Sequence, residues 1–94
     1  MISGGLLYLE VMTKQDIAKQ LRPYLNIDEY RQGHINELLD ICAKVLDNEI
    51  GDYSFRRLWM HNISVFKSSS QHILTQDEWR THINGLILTL ENSR

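Results

Sequence analysis

A single cysteine, Cys42, and a single proline, Pro23, stand in 94 residues. One thiol cannot build a disulfide framework, and one proline cannot build a proline-rich linker. The five glycines are scattered, with Gly4-Gly5 the only pair, so there is no glycine loop to cradle a phosphate. Charge of one sign is also missing. Ten Lys and Arg stand against twelve Asp and Glu, for a net charge of −2. That balance gives the molecule no overall attraction for nucleic acid or an anionic membrane. The longest uncharged apolar stretch near the start, residues 2–9, ends at Glu10. It falls far short of the roughly 20 residues a membrane span needs, and no basic stretch precedes it as in a secretory signal. The expectation is a cytoplasmic protein with no membrane partner.

What remains is ordinary for a folded chain. Hydrophobic residues make up 43% and charged residues 23%, which excludes intrinsic disorder. The length suits one domain. Residues 1–12 lack helical periodicity and read either as an N-terminal arm, ordered only if tied down, or as a segment ahead of a true start at Met12. Residues 13–94 read as one helical domain.

Three places share one local grammar. Met12-Thr13-Lys14-Gln15-Asp16-Ile17, Leu25-Asn26-Ile27-Asp28-Glu29-Tyr30 and Leu74-Thr75-Gln76-Asp77-Glu78-Trp79 each place a capping residue between two apolar ones. Thr13, Asn26 and Thr75 can accept an orphan backbone N–H. Asp16, Glu29 and Glu78 can reach back to the cap, and the flanking apolar pairs fit hydrophobic staples. Pro23 should interrupt the first helix and Gly51 should end the second. Asp52 can cap the third, and Ser68-Ser69-Ser70 marks the clearest loop. No segment alternates with a period of two. The sequence therefore predicts an all-α, four-helix bundle with helices at about 14–22, 27–50, 53–67 and 76–91.

At 100° per residue the apolar faces are legible. Helix 2 gathers Tyr30, Ile35, Leu38, Leu39, Ile41, Cys42, Val45 and Leu46. Helix 3 contributes Phe55, Leu58, Trp59, Ile63 and Phe66, and helix 4 contributes Trp79, Ile83, Leu86, Ile87 and Leu90. Residues 25–31 and 74–80 match closely, as do His34-Ile35-Asn36 and His82-Ile83-Asn84 after a one-residue slip. Two helical hairpins related by a pseudo-twofold would explain the match; so would the shared needs of any two capped amphipathic helices.

Chemistry is sparse. His34 and His82 occupy matching positions, but no Glu stands three residues before a His, and no set of paired ligands suits zinc or di-iron. His34 reads as a hydrogen-bonded boundary residue. Cys42 lies on the buried face without a basic neighbour and reads as a small core residue. No nucleophile motif is visible. Neither catalysis nor a cofactor or metal is expected.

The surface is more informative. Residues 1–52 carry five Lys or Arg and nine Asp or Glu, whereas residues 53–94 carry five and three. Helix 3 concentrates the residue types that dominate protein interfaces. Tyr53, Arg56, Arg57 and Met60 lie off its core face and are the candidate partner-binding residues. Leu88 sits opposite Trp79 on helix 4 and is a candidate contact for a homodimer or for the N-terminal arm. These residues point to a small non-catalytic interaction module that binds a protein partner, or itself, stoichiometrically. One alternative is a helix-turn-helix regulator, although acidic residues at the start of helix 2 would repel phosphates, so nucleic acid is not the expected partner. Another is an immunity-, antitoxin- or phage-type inhibitor, a class often of this size.

Overall fold

A computed structural model describes residues 12–72 and 75–92. The N-terminal arm, apart from Met12, and Leu74 of the third staple lie outside the described residues. The described chain is all-α, with helices α1 (Lys14–Leu21), α2 (Gln32–Asp47), α3 (Tyr53–Ser69) and α4 (Gln76–Asn92). A short 3-10 turn, Arg22–Asn26, follows α1. No described helix is long and apolar enough to cross a membrane.

Two helix starts form as the sequence dictates. The Thr13 hydroxyl accepts from the Asp16 N–H, and the Asp16 carboxylate accepts from the Thr13 N–H at 2.9 Å. Thr75 and Glu78 make the same reciprocal pair at 3.0 and 3.1 Å. The Thr75 N–H stabilises the Glu78 carboxylate and holds its pKa below the ordinary value.

The second start does not form. The predicted helix 27–50 is Gln32–Asp47, and Asn26 caps nothing. The reason is tertiary. Tyr30 is buried between elements, its ring 6.1 Å from Trp79. The Tyr30 hydroxyl donates to the Tyr24 carbonyl, and the Tyr30 N–H donates to Gln76 Oε1 at 3.0 Å. The Arg80 guanidinium donates to the Ile27 carbonyl at 2.9 Å. The Ile27 carbonyl and the Tyr30 N–H are thus bonded to α4, and a helix starting at Ile27 would break those bonds. His34 takes over at the real start, its Nδ1 accepting from the Arg31 N–H at 3.1 Å. The matching segments 26–31 and 75–80 therefore take two conformations. The halves are also unequal: backbones pack closely along α1 with α4, α1 with α2 and α2 with α3, while Phe66 reaches α4 through ring contacts with Trp79 and His82.

The core collects Ile17 and Leu21 of α1, Leu38, Cys42 and Val45 of α2, Trp59 and Phe66 of α3, and Ile83, Ile87 and Leu90 of α4. Leu39, Ile41, Leu46 and Ile63 pack against it but are only partly buried. Leu58 departs from the expected core face and is 49% exposed.

Candidate functional site

The third helix is positioned by its N-terminal turn. After Asp47 the chain reverses through Glu49, whose φ of 51° is left-handed. The Ile50 N–H donates to the Val45 carbonyl at 2.8 Å and the Glu49 N–H to Leu46 at 3.2 Å, a Schellman closure of α2. Gly51, at φ 81°, follows, and a Cβ there would lie 2.6 Å from the Phe55 ring. Asp52 then caps α3, accepting from the Phe55 N–H at 2.8 Å. Lys14 of α1 lies over the Phe55 ring, 4.1 Å from its centroid.

Phe55, Trp59 and Phe66 anchor the inner face of α3. Ile63 packs partly against the core as well, and much of the remaining surface of the helix is exposed. Tyr53 (68%), Leu58 (49%), Met60 (55%) and Val65 (45%) are exposed, and with Leu88 (44%) they are the large exposed hydrophobics of the described residues. Four of these five lie on α3. Tyr53 and Met60 lie on the side opposite Phe55, Trp59 and Phe66, as expected. Leu58, expected in the core, and Val65 form a second exposed stripe, about 140° around the helix from Tyr53 and Met60, with Val65 beside the groove toward α4.

The two arginines part company. The Arg56 guanidinium donates to the Glu49 and Gly51 carbonyls and clamps the α2–α3 turn. Those two bonds hold its guanidinium at the start of α3. Arg57 is exposed, its guanidinium 5.9 Å from the Tyr53 ring centroid, and makes no ion pair among the described residues. Leu88 stands alone on the outer face of α4, beside polar Asn84 and Gly85.

Among the described residues, grooves flank the bundle on two sides. One, about 360 Å³, runs between α3 and α4 under His61, Val65, His82 and Thr89, with Phe66 and Leu86 as lining. The other, about 610 Å³, lies between the 3-10 turn and α2, where Pro23, Tyr24, Ile27 and Ile41 meet Glu37 and Lys44. The Tyr24 hydroxyl donates to Glu37 at 2.7 Å, a bond that raises the phenol's pKa. No group of three or more His, Cys, Asp or Glu among the described residues is placed to hold a metal ion. Burial pushes the Cys42 thiol up to about 12, away from nucleophilic use. Residues 22–31 separate α1 from α2, well beyond the three- or four-residue turn of a helix-turn-helix.

Compared with models of known protein families, with curated proteins and with solved structures, the chain matches none.

Proposed function

We propose that this protein is a small, non-catalytic interaction module that binds another protein, or a second copy of itself, through the outer face of α3. One observation carries the reading: four of the five large exposed hydrophobics among the described residues lie on that helix, Tyr53 and Met60 on the side opposite the core and Leu58 and Val65 on a neighbouring stripe. Burying them on a partner would recover apolar surface that the bundle leaves in water. Tyr53, Arg57 and Met60 are residue types over-represented among interface anchors. Leu88 on α4 is the candidate for a second contact, suited to self-association.

Site-specific photo-crosslinking tests the reading. A photoreactive residue in place of Met60 should give a defined adduct, to another protein in extract of the source cells or to a second copy. The same residue in place of Asn36, on the outer face of α2, should give none. Equal labelling from both positions, or none from position 60, would contradict the reading.

A further inference from the structure

The outer face of α3 also indicates the chemistry of what lies on it, an argument that rests on the reading of α3 as the interaction surface. Over Tyr53–Ser69 the helix carries Arg56, Arg57 and Lys67 and not one carboxylate. Arg56 is committed to the turn carbonyls. Arg57 and Lys67 are exposed and make no ion pair among the described residues. At 100° per residue, Tyr53, Arg57, Met60, Ser64 and Lys67 fall on one stripe. They follow one another at intervals of four, three, four and three, so a second helix laid along α3 at a shallow crossing angle would meet all five. Apolar and cationic groups interleave along it. With a rise of 1.5 Å per residue, Tyr53 and Met60 stand about 10 Å apart, and Arg57 and Lys67 about 15 Å apart.

We infer that the partner element is an acidic amphipathic helix: apolar residues one heptad apart meet Tyr53 and Met60, and carboxylates about three turns apart meet Arg57 and Lys67. The rest of the bundle would steer it there. The outer face of α2 exposes Glu37, Asp40 and Asp47 and repels such a helix. The same face offers Gly33, Asn36, Asp40 and Asp47 and no exposed large hydrophobic, so α2 of a second copy would supply charge without anything to bury against Met60.

A display selection tests the inference with a defined probe, a library of random 18-residue peptides panned against the full chain. Enriched peptides should carry net negative charge with apolar residues at i, i+3 or i+4 and i+7. Synthetic versions should lose at least tenfold in affinity for Met60→Asp and for the Arg57→Glu/Lys67→Glu pair, and keep it for Asp40→Asn. Binding should weaken with added salt. Circular dichroism of each variant confirms that the loss is not unfolding. Enriched peptides without acidic bias that still need Met60 would overturn the acidic partner and leave α3 as a docking face. Peptides indifferent to every α3 change, or no enrichment, would overturn both. Displacement by random duplex DNA, or Met60-dependent self-association of the chain alone, would assign the stripe to a different occupant and overturn the inference.

Discussion

The indole N–H of Trp59 donates to the backbone carbonyl of Cys42 at 2.9 Å, and both side chains are fully buried. This bond ties α3 to the middle of α2 and fixes the rotation of α3, so that its Met60 side faces outward. Trp59→Phe removes the donor and leaves a void. The expected loss is about 2–3 kcal/mol in urea unfolding. A loss below about 0.5 kcal/mol would mean that the indole does not set the packing.

Cys42 gives an alkaline signature. Burial raises its thiol from the ordinary 9.0 to about 12. The unfolded chain therefore releases a proton that the folded chain holds, and stability falls as pH rises through that window. Below pH 9 the contribution is constant. The fall is at most about 1.4 kcal/mol per pH unit. Between pH 8 and 10.5 the wild type should lose more stability than Cys42→Ala, which keeps every tyrosine. Parallel curves would place the thiol in water.

The α2–α3 turn contains two left-handed residues with opposite expectations. Glu49 adopts φ 51° with a side chain, so Glu49→Gly should stabilise by about 0.5–1 kcal/mol. Gly51 has no space for a Cβ beside Phe55, so Gly51→Ala should destabilise by more than about 1 kcal/mol. Thermal unfolding of the two variants reads both signs.

Neighbouring arginines should also separate. Arg56→Ala removes the donors to the Glu49 and Gly51 carbonyls and should cost about 0.5–1.5 kcal/mol. Arg57→Ala should stay within about 0.5 kcal/mol of wild type. Denaturant midpoints decide the matter.

Much of this architecture was legible in the residues because local and global signals agreed. Thr13, Asp52 and Thr75 cap the helices they were expected to cap. The buried positions of α4 follow its wheel. Asn26 failed because its capping signal competed with contacts from distant residues: Gln76 and Arg80 hold Tyr30 and Ile27 from α4. Such bonds bridge some fifty positions and leave no trace in local spacing. The serine run also misled, since Ser68 and Ser69 continue α3. On the candidate surface, Tyr53, Met60 and Leu88 were legible from the wheel as outward groups. The bonds of Arg56 to the Glu49 and Gly51 carbonyls were not legible, because they depend on where the turn carbonyls point. Leu58 lies at the border of the apolar arc, where only the neighbours of α3 decide between core and solvent.

The central claim is that α3 holds the bundle with one face and leaves the other free. The direct measurement is the urea unfolding free energy of the triple variant Leu58→Asp/Met60→Asp/Val65→Asp. These side chains are about half in water, so becoming polar costs part of their burial and some helix propensity, and the expected change is within about 3 kcal/mol. A loss above about 4 kcal/mol, the cost of charging a packed core, would mean that this face is interior and would contradict the account.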